Sequence, residues 1–518
     1  MKKFIKKFSI LSLAGMFLLS ACGSDGNSNE GASGDGESTV LKVANGADPV
    51  TFDIQATNDQ ATTRVAKQIY ETLIEQTPDL ELEPALATEW EEVEENLYEF
   101  KLREDVTFHN GEPFTASDVE FTLRRAVESP TIGHIVDSID PDTIEVIDDY
   151  TIRVGTNDTF GPFLTHLAHP AVAILNEKAV EEAGEDYGVT EVVGTGPFVF
   201  DEWITGSSVT ANRYEDYWGD APGVDRIEFS TIADPSVRLI ELESGSVDIA
   251  YDIAPSDISA VEENDELTLL NTPNLGSEYL GLNMKNDTPL QDLKVRQAIA
   301  HAIDVESIID TVYMGVGEQM SGPINELVFG FNDSLEPIEY DVDTAKDLLA
   351  DAGYPDGGFT LTQNVGDNSQ ERIRVSQVVS EALAAIGITV EVSQMEWGAY
   401  LDATAVGEAD MFLLGWTTVT TDADYGLYPL FHSNSFGESG NRTFYANDRV
   451  DELLDLGRYT TDQESRVDYY EEVQQIIHDE VPWVFLQTRE NVTGLSNRVK
   501  GFEHNPAGNY DLSPVTLD

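Results

Sequence analysis

Two carboxylates, Asp422 and Asp424, flank Ala423 directly after a run of threonines. Paired carboxylates at this spacing could hold a cation or the ammonium group of a substrate, and they could equally cap the helix that follows. Four aromatic residues lie close by in the sequence: Trp416, Tyr425, Tyr428 and Phe431. Such rings either pack in a hydrophobic core or form a cavity wall, where each ring offers apolar area and some add a polar tip.

Two histidines, His166 and His169, are three residues apart and could lie on one helical face as metal ligands. Pro170 argues against this, because the residue before a proline avoids the helical conformation. The sequence has no glycine-rich phosphate loop, no zinc-type His-Glu spacing and no nucleophile-elbow motif. We therefore expect no enzyme activity, no catalytic residue, no metal and no cofactor.

The elements that must position these residues alternate between strands and helices, which indicates α/β lobes. Strands are predicted by period-two alternation at 98–103, 143–147, 150–154, 226–232 and 388–392, with a turn at Asp148–Asp149 between the second and third. Helices are predicted at 343–352, 371–386 and 462–480, and further helices after Asp234 and after the Thr115 capping box. Gly353 and Gly387 are the expected C-caps of the first two.

The N-terminal residues predict export. Lys2, Lys3, Lys6 and Lys7 precede an apolar stretch at 8–19 that is too short to span a bilayer but suits a signal peptide. LSAC at 19–22 looks like a bacterial lipobox, so we expect a signal peptide at 1–21 and lipidation of Cys22. Residues 22–39 are expected to be a flexible tether, since they contain almost nothing that could be buried. The expected location is the extracytoplasmic face of the cell membrane.

The amino-acid composition argues against nucleic acid as a partner. Of 518 residues, 29 are basic and 96 acidic, which gives a net charge of −67. Nucleic acid is an improbable partner because a phosphate backbone requires a basic face. The acids are spread along the chain, which indicates a solvated acidic surface suited to high external salt. Cys22 is the only cysteine, so the folded part has no disulfide.

Several blocks of sequence together resemble the extracytoplasmic solute-binding proteins, family 5, of peptide, nickel and glutathione ABC importers. They cover nearly the whole chain in family order: YETL at 70–73, EPALATEW at 83–90, FKLR at 100–103, VTFHNGEPFTASDV at 106–119, GTGPF at 194–198, NRY at 212–214, YW at 217–218, YLGLN at 279–283, KVRQAI at 294–299 and AID at 302–304. Each block alone is weak, and the set is specific.

Within this family, GWTTVTTDADY at 415–425 and AHPA at 168–171 look most like glutathione-binding members. Dipeptide- and oligopeptide-binding members carry an aspartate three positions after the equivalent tryptophan, and it pairs with the α-ammonium of the ligand. Here Val419 follows Trp416 at that spacing. The departure puts ordinary α-amino recognition at this point in doubt, and Asp422 or Asp424 could substitute.

The resemblance implies an α/β, two-lobed periplasmic-binding-protein-like fold of type II, large cluster, with an extra subdomain on the first lobe. By sequence order, lobe I takes residues 40–75, 195–283 and 494–518, the added subdomain takes 76–194, and lobe II takes 284–493. The chain would cross between the lobes near Asn283 and Leu495, which would form the hinge. Closure about the hinge would bury the ligand.

A peptide-like zwitterion needs an acid for its ammonium group and a cation for each carboxylate. Besides Asp422 and Asp424, the candidate ligand-binding residues are Arg372, Arg374, Trp397, Trp416, Tyr425, Tyr279, Thr57 and Asn58. The two arginines stand at the head of a predicted helix and would suit a carboxylate, because the guanidinium fork can bind it bidentately. Their alternative role is a solvated helix surface.

The sequence therefore predicts a lipid-anchored, monomeric receptor that captures glutathione or another short peptide and delivers it to the permease and ATPase of an ABC importer. A di- or oligopeptide receptor of the same family is the main alternative. A nickel or haem receptor is disfavoured by the few histidines. Two further alternatives are an anchored hydrolase, which would release products from peptide, and a peptide sensor that signals through a partner.

Overall fold

The computed structural model describes residues 38–57, 59–437 and 440–518. The predicted signal peptide, the predicted lipidation site Cys22, all but the last two tether residues and the candidate ligand residue Asn58 lie outside the described residues. Within the described part of the chain, no helix has the length and apolar character needed to cross a membrane.

Strands and helices alternate along the chain, as the sequence predicts. The strands are β1 Val40–Asn45, β2 Ile74–Gln76, β3 Leu82–Pro84, β4 Ala87–Glu94, β5 Leu97–Leu102, β6 Ile139–Asp148, β7 Thr151–Thr156, β8 Phe198–Ile204, β9 Ser208–Arg213, β10 Arg226–Thr231, β11 Ile249–Ala250, β12 Leu267–Leu282, β13 Thr360–Gly366, β14 Thr389–Met395, β15 Met411–Thr417, β16 Trp483–Ser496, β17 Val499–Lys500 and β18 Thr516–Leu517. The helices are α1 Gln60–Ala66, α2 Ala116–Glu128, α3 Phe163–Leu167, α4 Glu177–Ala183, α5 Pro235–Glu243, α6 Ile258–Glu262, α7 Leu293–Ala302, α8 Val305–Val312, α9 Val342–Asp351, α10 Gln370–Ala385, α11 Trp397–Val406, α12 Ala423–Phe431, α13 Asp448–Arg458 and α14 Gln463–Glu480.

Helix termini follow the local signals in the sequence. The Asp234 side chain accepts hydrogen bonds from the first-turn amides of α5, and Pro235 occupies the first helical position. Asp118 accepts from the backbone amide of Thr115 at the start of α2, as the predicted capping box requires. The turn predicted at Asp148–Asp149 is wrong by one residue, because β6 extends through Asp148 and the turn is formed by Asp149 and Tyr150.

One mixed sheet of 10 strands runs through the molecule in the order β14-β13-β15-β12-β16-β11-β1-β10-β9-β8. A separate 4-stranded antiparallel sheet has the order β4-β5-β7-β6. Helix α2 packs against β6 and β7 of this smaller sheet. The smaller sheet and its helices lie within residues 76–194, the range expected for the added subdomain.

The long antiparallel pair β12 and β16 connects two groups of hydrophobic cores. The register of the pair shifts between Pro273 and Ser277. Before this point, Leu267 and Leu270 pack on the cores built around β1 and β10, and beyond it Leu280 belongs to a core with the helices α7 to α10. The protein is therefore a mixed α/β molecule of two lobes joined through β12 and β16, and the predicted fold class is confirmed.

Candidate functional site

A cavity of about 810 Å³ is lined by residues from both lobes. Its second-lobe wall comes from β12, the start of α10, α11, the end of β15, α12 and β16. Its opposite wall comes from His166 of α3 and from His134 and Asp137, which precede β6. The lining includes His134, Asp137, His166, Tyr279, Arg372, Trp397, Trp416, Tyr425, Tyr428, Arg442, Arg458 and Arg489. A concave site of this volume suits a small-molecule ligand.

Aromatic side chains line the second-lobe wall. Trp416 ends β15, and its indole Nε1 donates a hydrogen bond of 3.0 Å to the carbonyl oxygen of Tyr425 in α12. The two rings lie 5.3 Å apart. Tyr279 is stacked on Trp483 with ring centroids 3.4 Å apart, which fixes its ring at the cavity floor. Trp397 opens α11 and lies beside Tyr400.

Two guanidinium groups share one carboxylate at the side of the cavity formed by β12 and β16. Arg372, in the first turn of α10, binds Glu278 of β12 bidentately, with distances of 2.9 and 2.8 Å. The Nε atom of Arg489 lies 3.3 Å from the same carboxylate without hydrogen-bond geometry. Burial lowers the pKa of Arg489, and the charge of Arg372 lowers it further. The cluster carries one positive charge more than its own carboxylate neutralises.

Asp422 and Asp424 are both engaged by arginines from later in the chain. Asp422 caps α12 by accepting from the amide of Asp424, and it also receives a 2.7 Å hydrogen bond from Arg466. The Asp424 side chain is 0% exposed and is bound bidentately by Arg458 at 2.9 and 2.8 Å. Their suggested role as ligand groups stays a prediction, and a ligand ammonium would have to share them with these guanidinium groups.

The other sequence candidates fall in different places. Tyr279, Arg372, Trp397, Trp416 and Tyr425 line the 810 Å³ cavity, whereas Arg374 is exposed on α10 and does not. Thr57 and Val419 line a separate cavity of about 50 Å³ together with Ala171 and Ala507. That cavity is much smaller than the 810 Å³ cavity.

Several cavity residues were missed by sequence reasoning. Asp137 lies just beyond a short 3₁₀ turn, and Arg489 lies within β16. Arg442 precedes α13, and Arg458 is the last residue of that helix. No spacing signal in the sequence points to them, because each reaches the cavity only through pairing of distant segments. Arg442 donates hydrogen bonds to the carbonyl oxygen of Leu401 and the hydroxyl of Thr404.

His166 was considered only as a metal ligand, and its structural setting is different. The Nδ1 atom lies 2.6 Å from the carbonyl oxygen of Ile135, so Nδ1 carries the hydrogen and donates it. The Nε2 atom has no partner within the described residues, and burial lowers the pKa of the ring. Helix α3 ends before His169, and the described residues contain no cluster of three histidine, cysteine or acidic side chains that could hold a metal ion.

Comparisons with known proteins agree with this architecture. Residues 81–438 match the model for bacterial extracellular solute-binding proteins, family 5 Middle. The chain is 30% identical over 474 residues to the glutathione-binding protein GsiB of Pectobacterium atrosepticum, which covers 89% of this chain and 90% of that protein. It is 29% identical over 483 residues to heme-binding protein A of Haemophilus influenzae, covering 88% and 87%.

Solved structures give the same result. The periplasmic binding protein DppA from Helicobacter pylori in complex with the peptide STSA has 30% identity and a TM-score of 0.80, over 92% of this chain and 98% of that one. HbpA2 from Haemophilus parasuis has 28% identity and a TM-score of 0.82, over 92% and 100%. The family resemblance, with glutathione-binding proteins among the relatives, is confirmed. This chain belongs to family 5 of the bacterial extracellular solute-binding proteins.

Proposed function

We propose that the protein is the receptor of an ABC importer and that it captures glutathione, or another short peptide with more than one carboxylate, by closing its two lobes. The observation that carries this proposal is the cluster of Arg372 and Arg489 around the single carboxylate of Glu278. In a chain with 29 basic and 96 acidic residues, four arginines line this one cavity. An anionic ligand supplies the charge that the cluster lacks.

Glutathione matches this cavity chemically. It carries two carboxylates and one ammonium group, so its net charge near pH 7 is −1. One carboxylate would bind between Arg489 and Arg372, and the aromatic wall of Trp416 and Tyr425 would cover the apolar parts of the peptide. Val419 does not line this cavity, which supports a binding mode different from that of family members with an aspartate at its position.

The proposed hinge lies inside the long strand pair. The resemblance implies crossings near Asn283 and Leu495 between lobe I (40–75, 195–283 and 494–518) and lobe II (284–493), with the added subdomain at 76–194. The register shift between Pro273 and Ser277 and the change of core along β12 favour a hinge nearer the middle of the strands. Closure there would bring the segment around α3 onto α12, and the importer would bind the closed form.

The proposal also includes export of the protein, its lipidation and its partners in the membrane. Cys22 would carry the lipid, the tether would hold a monomeric body at the extracytoplasmic face, and a membrane permease with its ATPase would receive the ligand. Glutathione binders and a heme-binding protein are among the relatives. Cys22→Ala tests the anchor: the protein should move from the membrane fraction to the medium, and continued membrane retention would contradict lipidation.

The ligand is tested by thermal unfolding of the purified protein against reduced and oxidised glutathione, di- to pentapeptides, haemin, and nickel with and without histidine. A ligand at 100 times its Kd should stabilise the folded protein by about 2.7 kcal/mol. Stabilisation by glutathione, lost in Arg489→Gln and kept in the exposed control Arg374→Gln, supports the proposal. Stabilisation only by ordinary peptides would replace glutathione with the main alternative, and a response only to haemin or nickel would overturn peptide capture.

A further inference from the structure

The carboxylate of Asp137 is the only acidic side chain on the described lining of the 810 Å³ cavity. Only its backbone is engaged: the carbonyl oxygen accepts a hydrogen bond from Asn157. Within the described residues the side chain accepts no hydrogen bond and forms no ion pair. The residue is exposed to solvent, and partial desolvation by neighbouring protein atoms raises the pKa of Asp137, whereas the nearby charges of Arg458 and His166 oppose the rise. An unpaired carboxylate beside a cavity is available to a ligand.

His166 stands on the same side of the cavity. Its side chain is 4% exposed, and Nε2 presents a lone pair with no partner among the described residues. Since Nδ1 donates to the carbonyl oxygen of Ile135, two residues before Asp137, the same short segment positions both groups. A buried acceptor without a donor is unfavourable, so a donor from the ligand would satisfy it.

The charges divide the cavity into two ends. At the α3 side, Asp137 and Asp424 provide two carboxylates against the one guanidinium of Arg458, an excess of one negative charge. At the side formed by β12 and β16, Arg372 and Arg489 provide two guanidinium groups against the one carboxylate of Glu278, an excess of one positive charge. A zwitterion would therefore bind in one orientation, with its ammonium group at the α3 side.

We propose that Asp137 and the Nε2 atom of His166 form the subsite for the α-ammonium group of the ligand. This inference rests on the proposed capture of glutathione or a similar peptide. It moves amino-group recognition from position 419 in lobe II, where Val419 has no charge, to the subdomain on lobe I. The ammonium group donates one charge-assisted hydrogen bond to the Asp137 carboxylate and one hydrogen bond to the neutral imidazole, while the glycine carboxylate, at the other end of the peptide, faces Arg489 and Arg372. The α-carboxylate is on the same carbon atom as the ammonium group and so stays at the α3 side, where Arg458 also lines the cavity. Closing the lobes brings this subsite, on the subdomain of lobe I, towards Arg372 and Arg489 in lobe II.

Calorimetric titration with two probes tests the inference: glutathione, and its des-amino analogue glutaryl-cysteinylglycine, which lacks only the α-ammonium group. The wild type should bind glutathione roughly 100-fold more tightly than the analogue, because the analogue leaves Asp137 unpaired. Asp137→Asn should lose roughly 100-fold in affinity for glutathione and bind the analogue as the wild type does. His166→Phe, which keeps a ring and removes the acceptor, should lose roughly 10-fold for glutathione.

Asp142→Asn is the matched control, since Asp142 is exposed on β6 and does not line the cavity. It should bind both probes as the wild type does. Equal wild-type affinity for both probes, or a preference for glutathione that survives Asp137→Asn, would overturn the ammonium subsite and leave the proposed function standing. No binding of glutathione to the wild type would overturn both.

Discussion

The buried carboxylates beside the cavity form ion pairs with arginines that are distant in the sequence. The Asp424 side chain is 0% exposed and depends on Arg458, which also stacks on the ring of Tyr428 at 3.5 Å. Removing one partner of such a pair strands the other charge in a medium that solvates it poorly. The pair therefore constrains the wall of the cavity more than it stabilises the fold.

Arg458→Met should lower the free energy of unfolding by about 3–5 kcal/mol, because it leaves the Asp424 carboxylate buried without a partner. Urea unfolding measures the change. Arg449→Met is the control: Arg449 also binds a carboxylate bidentately, that of Glu472, but both groups are exposed. It should change stability little, and equal losses in the two variants would show that burial of the pair is irrelevant.

His169 gives the fold a specific sensitivity to acid. Burial lowers the pKa of His169 to about 3, and its Nδ1 atom accepts from the amide of Ala171, so the folded protein keeps the ring neutral. The unfolded chain protonates the ring near the ordinary pKa of 6.5. The unfolded state thus binds more protons between pH 6.5 and 3, and stability is lost as the pH falls through that window.

His169→Asn retains a side-chain acceptor for Ala171 and removes the titration. Between pH 6.5 and 5 the wild type should lose about 1.1 kcal/mol per pH unit more than the variant on average, approaching the one-proton limit of about 1.4 kcal/mol per unit near pH 5. Urea unfolding at several pH values across this range measures the difference. Parallel stability profiles would mean that the folded protein protonates His169 as readily as the unfolded chain does.

At the scale of elements, two glycines follow helices in a left-handed conformation. An alanine at one of them would be strained only in its backbone conformation, and an alanine at the other would also collide with a neighbouring carbonyl oxygen. Gly353 follows α9 with φ +91°, and Gly387 follows α10 with φ +85°. A Cβ at Gly353 would meet nothing within 4 Å, whereas a Cβ at Gly387 would lie 2.2 Å from the carbonyl oxygen of Asp356. Both positions are left-handed, and only the second is also sterically closed.

Gly353→Ala should therefore lower the free energy of unfolding by about 1–2 kcal/mol, the conformational penalty alone. Gly387→Ala should lower it by at least about 1 kcal/mol more, because the backbone of residues 356–357 must move as well. The difference between the two variants, measured by urea unfolding, isolates the steric part. A difference of zero would mean that the loop at Asp356 yields freely.

Local elements could be predicted from the sequence because their signals are local. The cap Asp234, the capping box at Thr115 and the stops at Gly353 and Gly387 placed helix ends to within two residues or so. The pairing of β12 with β16 could not be predicted, since nothing in either segment selects a partner so far along the chain. For the same reason, the sequence did not predict the cavity residues that come from distant segments.

Cavity residues divide in the same way. Trp416 and Tyr425 stood in one recognisable stretch, and they do line the cavity. Asp137, His166 and Arg489 lie outside that stretch, and their place at the cavity comes from packing between distant segments. Their charge states also depend on burial, which no composition or spacing reveals.

At the scale of the whole molecule, the two lobes touch outside the ligand cavity as well as around it. The Gln76 side-chain amide donates a 2.6 Å hydrogen bond to the hydroxyl of Thr421, and the Gly161 amide donates a 2.9 Å bond to the carbonyl oxygen of Arg458. Thr421 holds a left-handed backbone with φ +57° at this contact. These contacts join the two lobes without any ligand atom.

Gln76→Ala should weaken glutathione binding without changing the cavity, because Gln76 does not line the 810 Å³ space. Apparent affinity scales with the population of the closed, binding-competent state, so removing a bond worth about 0.5–1.5 kcal/mol should raise Kd by roughly 2- to 10-fold. Calorimetric titration measures Kd, and stopped-flow dissociation should show the change in the off-rate. Gln475→Ala is the matched control, since Gln475 bonds only within its own helix, to Asp479. If both variants bind like the wild type, ligand contacts alone hold the lobes together, and the Gln76–Thr421 bond merely accompanies closure.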